Sequence, residues 1–221
     1  MEKTLATVAL VAWGFGMAVM AQSVQVGTKA PAPVLLAMSG DSYKFLSELY
    51  YEGAERPGAR RSAVVLNFMA QDSAPSVEAL PLLMAVARKV QSHGDLRGKA
   101  RFFLVSTDSL AQKNNLPLFL DRHRVGPPMD VLLDPHRKAS VLFGVEKLPR
   151  TFVISGDGII VADIEGVGGG YTKALATGIG KAIRNAGVAS NPVRAAANEV
   201  SPARPGSAAT GNGDPNQPMQ W

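Results

Sequence analysis

The 221-residue chain contains no cysteine. That absence removes disulfides, thiolate catalysis, zinc–thiolate and iron–sulfur centres and an N-terminal lipid-modified cysteine from consideration. Histidine is scarce too, and His93, His123 and His136 stand apart with no Gly-x-Ser-x-Gly elbow to accompany them, so no nucleophile, base and orienting group are spelled out. Asp121 with His123, and Asp134 with His136, form two isolated pairs, short of the three or four ligands of a metal site. No metal and no cofactor is therefore expected. Acidic residues number 18 against 23 basic ones, a net charge of +5. Glu2 cancels Lys3, and Arg194 and Arg204 balance Glu199 and Asp214, so the surplus sits in the middle of the chain. It biases weakly toward acidic partners or membrane surfaces.

Long hydrophobic runs are also missing, with one exception at the start. After Met1-Glu2-Lys3, an uncharged apolar stretch runs from Leu5 to Met20 and closes in Val19-Met20-Ala21, whose small first and third residues suit signal peptidase. We read residues 1–21 as an export signal cut after Ala21. The stretch is slightly short of the ~20 residues a spanning helix needs, and an uncleaved anchor is the alternative. From Ala189 to Trp221 the chain is Ala, Asn, Pro, Gly and Ser with almost no large aliphatic residue, which cannot offset the entropy of ordering, so a disordered tail is expected. Its Met-Gln-Trp end is either a short docking motif or a chance terminus. Residues 22–188 remain as one domain, and at 46% apolar the chain carries enough to build a core.

Within that domain, Ala63-Val64-Val65-Leu66-Asn67-Phe68 is a continuous apolar run of the kind buried on both faces of a sheet. Val77 to His93 repeats apolar residues at threes and fours (Leu80, Leu83, Met84, Ala87, Val90), predicting a helix kinked at Pro81. Arg101 to Ser106 reads as a second buried strand, Leu116 to His123 as a helix, Asp130 to Asp134 as a short apolar piece, and Lys138 to Phe143 as a turn or two of helix closed by Gly144. Thr151–Ile154 and Ile159–Ala162 flank Ser155-Gly156-Asp157-Gly158, a hairpin signal, and a last helix is predicted over 172–185. Strands separated by helices need crossovers and hence parallel pairing, while the hairpin is antiparallel. The expected class is α/β, a mixed central sheet with helices on both faces.

These segments, in order, resemble a family. Val64 to Ser76 followed by Leu80-Pro81 is similar to the active-site segment of the thioredoxin-like TlpA/ResA/redoxin thiol-disulfide oxidoreductases, in which a strand leads into WCxxC and a helix with an early proline. Gly144-Val145 with Leu148-Pro149-Arg150-Thr151 resembles their cis-proline segment, Gly156-Asp157-Gly158 their hairpin turn, and 26–31 and 40–44 their lead-in and first hairpin. The resemblance implies a thioredoxin-like fold. It also puts Ser73 and Ser76 at the two cysteine positions and Asp72 at the tryptophan position. Exchange needs a thiolate, and an unassisted serine hydroxyl supplies neither the nucleophile nor a reversible two-electron bond. No catalytic residue is then expected.

What the resemblance leaves is binding. Asp72, Ser73, Ser76, Leu148 and Pro149 would border a peptide groove, with main-chain groups beside the proline pairing an extended polypeptide; the alternative is that the proline persists only because the turn requires a cis bond. Asp72 or Ser73 is otherwise a helix cap. Gly166 to Tyr171 lacks the endings of a nucleotide loop and reads as a turn. Arg56, Arg60 and Arg61 form the densest basic cluster, too short and too poor in aromatics for nucleic acid, and read as a solvated loop or as a contact for anionic lipid. The expected role is an exported binding, chaperone-like or assembly module whose partner is an envelope protein or polypeptide segment. Membrane association would come through an uncleaved anchor or the basic loop. Two other readings are an accessory that docks an oxidoreductase or its substrate, and an enzyme of non-thiol chemistry.

Overall fold

The computed structural model describes residues 24–50 and 62–188. Residues 1–21, read from the sequence as an export signal, the Arg56–Arg61 cluster and the tail with Trp221 lie outside the described residues.

Seven strands form one mixed sheet. In chain order they are β1 (Val34–Ala37), β2 (Tyr43–Phe45), β3 (Ala63–Met69), β4 (Ala100–Ser106), β5 (Met129–Leu133), β6 (Arg150–Ile154) and β7 (Ile160–Glu165). Their order across the sheet is β2-β1-β5-β4-β3-β6-β7. β3, β4 and β5 are parallel neighbours, while β6 and β7 pair antiparallel on one side and β1 and β2 on the other. Every residue of β3 is buried because both of its faces are covered. Alternation sends Ala63, Val65 and Met69 to one core and Val64, Leu66 and Phe68 to the other.

The first core lies under α2 (Ala74–Ser92), α3 (Leu116–Arg122) and α5 (Tyr171–Val188), the second under α1 (Ser47–Tyr50) and α4 (Lys138–Leu142). In α2 the buried stripe Ala79, Leu80, Leu83, Met84, Ala87 and Val90 carries the predicted periodicity. The helix begins at Ala74 rather than Val77, since Ser73 caps it and Pro75, with its φ preset, suits the first turn. It continues across Pro81 as one element. In the second core Phe68, Phe143 and Phe152 form a triangle with ring centroids 5.0 to 6.0 Å apart, each such pair adding about 0.5–1.5 kcal/mol beyond its area. Gly144 ends α4 at φ +61°, a conformation in which a β-carbon is strained. The mixed sheet with helices on both faces matches the sequence expectation; α1, four residues long, was not anticipated. Among the described residues no helix is long and apolar enough to cross a membrane.

Candidate functional site

The antiparallel register pairs Phe68 of β3 with Arg150 of β6, so the end of β3 and the Glu146–Pro149 approach to β6 share one end of the sheet. The turn from β3 into α2 is anchored there. The Gln71 N–H donates to Asp108 Oδ1 at 3.0 Å, and Ser106 Oγ donates to Asp108 Oδ2 at 2.6 Å, tying the turn to the end of β4. Ser73 then takes an extended conformation (φ −90°, ψ 103°) and caps α2, its Oγ accepting the Ser76 N–H at a long 3.4 Å. Asp72 is exposed, Ser73 half-buried and Ser76 buried at 1% exposure, with its Oγ lacking any partner.

By strand alternation Asn67 points from β3 into the side covered by α2 and α5. Its Nδ2 donates to Thr151 Oγ1 at 2.8 Å, Thr151 Oγ1 meets the Tyr171 hydroxyl at 3.1 Å, and Asn67 Oδ1 is unpartnered. Burial raises the Tyr171 phenol above its ordinary value, and the Thr151 and Asn67 hydrogen bonds pull against that rise.

Leu148-Pro149 is a cis peptide, as is Pro127-Pro128, which the sequence reading did not single out. Pro149 is buried and Leu148 half-buried against the second core. The Gly166 N–H donates to the Pro149 carbonyl at 2.8 Å. The N–H and C=O of Leu148 have no hydrogen-bond partner among the described residues. Immediately after the proline, Arg150 grips Asp163 through Nε at 2.6 Å and Nη2 at 2.8 Å, and also pairs with Glu165, which in turn meets Lys147 at 3.4 Å. The Asp163 hydrogen bonds hold the guanidinium above its already high pKa.

The five residues expected to border a groove thus divide. Asp72, Ser73 and Leu148 reach the surface, whereas Ser76 and Pro149 are buried. Sequence reasoning missed Asp108 and the Arg150–Asp163–Glu165 cluster. An acid following a buried strand, with a hydroxyl two residues before it, is the one signal for the former. Residues weighed for other chemistry have structural duties. Asp134 accepts from the Ala139 and Ser140 N–H groups at 3.1 and 2.8 Å and from Ser140 Oγ at 2.7 Å, His123 packs on Phe119 with ring centroids 4.5 Å apart, and His93 caps the far end of α2. No side-chain base hydrogen-bonds Ser73 Oγ among the described residues.

The chain superimposes on known structures of thiol-disulfide oxidoreductases. The fold is thioredoxin-like. A protein assigned as the thiol:disulfide interchange protein DsbE of Chlorobium tepidum matches with a TM-score of 0.58 at 24% identity, covering 73% of this chain and 99% of that one. The thioredoxin domain of a thiol-disulfide oxidoreductase from Bacteroides vulgatus matches at 0.54 and 14%, covering 71% and 99%. A secreted Mycobacterium tuberculosis disulfide oxidoreductase matches at 0.51 and 14%, covering 68% and 96%. No protein-family model and no curated protein sequence matches the chain. Its thioredoxin-like domain, unlike anything that exchanges disulfides through its own thiols, has no sulfur nucleophile to place at the helix N-terminus.

Proposed function

We propose that this is an exported, redox-inactive thioredoxin-fold protein that works in the cell envelope by holding an extended segment of another polypeptide, as a chaperone-like or assembly module. Ser73 and Ser76 stand at the positions of the lost cysteines, and Asp72, Ser73 and Leu148 form the contact surface, with Ser76 and Pro149 buried. The observation that carries the reading is that Leu148, whose N–H and C=O have no hydrogen-bond partner among the described residues, precedes β6 at the end of the sheet from which β3 leads into the capped start of α2. An unpaired N–H and C=O beside a sheet is what strand addition uses, and it needs no sulfur. The apolar signal at 1–21 and the secreted neighbour support export.

The test has two arms. A reduced and alkylated unfolded polypeptide is titrated against the protein and its Leu148→Asp variant; weaker binding by the variant is expected, and equal binding removes the Leu148 surface. Separately, Ser73→Cys/Ser76→Cys is expected to form an internal disulfide and to accelerate insulin reduction, since a thiol at a helix N-terminus has a lowered pKa. Two free thiols under oxidising conditions would mean that the serines do not occupy the redox positions.

A further inference from the structure

β7 is the last strand of the sheet. The lead-in segment covers only its beginning, where the Gly27 N–H donates to the Ile160 carbonyl at 2.8 Å, the Ile160 N–H to the Thr28 carbonyl at 3.0 Å, and Lys29 bridges Ile159. From Val161 to Glu165 no described strand pairs with the outer edge. Natural sheets guard such an edge with charged side chains, proline, a bulge or a covering segment; Ile160-Val161-Ala162-Asp163-Ile164-Glu165 has no lysine or proline, and its two carboxylates are engaged by Arg150 of the neighbouring strand.

Alongside runs α5. Gly178 lets it lie close to the sheet, since a β-carbon there would come within 2.8 Å of Ala162 Cβ. Helix and edge enclose a shallow cleft of about 380 Å³ floored by Val161, Ala162, Ala174 and Gly178 and flanked by Lys173 and Lys181. Neither lysine forms an ion pair among the described residues. The nearest carboxylates on β7, Asp163 and Glu165, are held by Arg150 and Lys147.

We propose that the outer edge of β7 and the lysine-bearing face of α5 dock an extended acidic segment of a partner polypeptide as an eighth strand. The spacing selects its sequence. Lys173 and Lys181 lie about 12 Å apart along the helix axis at 1.5 Å per residue. Side chains four residues apart on a strand share a face and lie about 13 Å apart. The occupant therefore carries two carboxylates four positions apart, with small or apolar residues between them over the cleft. Two other occupants fit less well. A second copy pairing β7 to β7 would set two lysine faces side by side. The tail's acidic side chains, Glu199 and Asp214, are too far apart in sequence to meet both lysines from one extended strand.

The probe is a short blocked peptide of alternating threonine and valine with two glutamates four positions apart, titrated against the full chain. Saturable binding is expected, with hydrogen-exchange protection of the amides from Val161 to Glu165. Glutamines in place of the glutamates, or Lys173→Glu/Lys181→Glu in the protein, should weaken binding about tenfold, and N-methylation of alternate peptide amides should abolish it. Leu148→Asp should bind this peptide unchanged, which separates the site from the one proposed above. No saturable binding at millimolar peptide, or binding indifferent to the lysines or to N-methylation, overturns the proposal. So does lysine-dependent binding to phosphatidylglycerol vesicles without peptide protection of β7, which would assign the lysines to a membrane surface.

Discussion

Ser73 and Ser76 sit three residues apart in one helical turn, yet their replacement by alanine should shift stability in opposite directions. Ser73→Ala deletes the cap of α2. Such caps contribute about 0.5–2 kcal/mol, and the long 3.4 Å contact puts this one at the low end, about 0.5–1 kcal/mol. Ser76→Ala instead removes a hydroxyl that is 1% exposed and unpartnered. An unsatisfied buried hydroxyl costs about 1–3 kcal/mol, and alanine is the better helix former by a few tenths. The lost contacts of one oxygen oppose this by a few tenths more. The net expectation is a gain of about 1–2 kcal/mol, read as a higher urea midpoint at unchanged slope and a Tm raised by several degrees. A loss of more than about 0.5 kcal/mol on Ser76→Ala would refute the reasoning, because the hydroxyl would then be held by a partner worth more than its desolvation.

Gly178→Ala should destabilise by about 1–3 kcal/mol despite alanine's higher helix propensity, since its β-carbon meets Ala162 Cβ at 2.8 Å and Val153 Cγ2 at 3.1 Å; Ala162→Gly in the same chain should restore part of the Tm, and no rescue would place the strain elsewhere. Tyr171 keeps its proton in the folded state above the ordinary value of 10.0, while the unfolded chain gives it up there. Its contribution is therefore complete below that pH and is lost as pH rises through the folded pKa. Tyr171→Phe should flatten the alkaline limb of the urea midpoint plotted against pH, and an unchanged slope would mean the phenol is not the group responsible.

Legibility from sequence followed burial. β3 and β4 are continuous apolar runs because helices cover both sheet faces, and α2 shows its 3.6-residue period because one face meets the core. Elements whose stability comes from elsewhere left no such trace. The four residues of α1 are too few for a period. The first turn of α2 is visible only as a cap and a proline, which is why periodicity placed its start three residues late. The Arg150 cluster depends on hairpin register, and a register shift between Val153 and Ile154, together with the extension of β7 to Glu165, puts Asp163 and Glu165 where the turn alone did not. At the candidate site, the residue types and their order along the chain were readable, but their depth was not. Ser76 and Ser73 look alike in a sequence, and only the packing of α2 on the sheet turns one inward and leaves the other at the rim.

The bond from Gly166 to the Pro149 carbonyl limits what the Leu148 surface is able to hold. With that carbonyl already engaged, a chain visiting the proposed surface would have the two main-chain groups of Leu148, and not those of Pro149, to pair with beside the proline, a contribution of about 1–3 kcal/mol. On the function proposed, grip of that strength would mean brief residence and tolerance of many sequences, the kinetics of a handler and not of a permanent subunit.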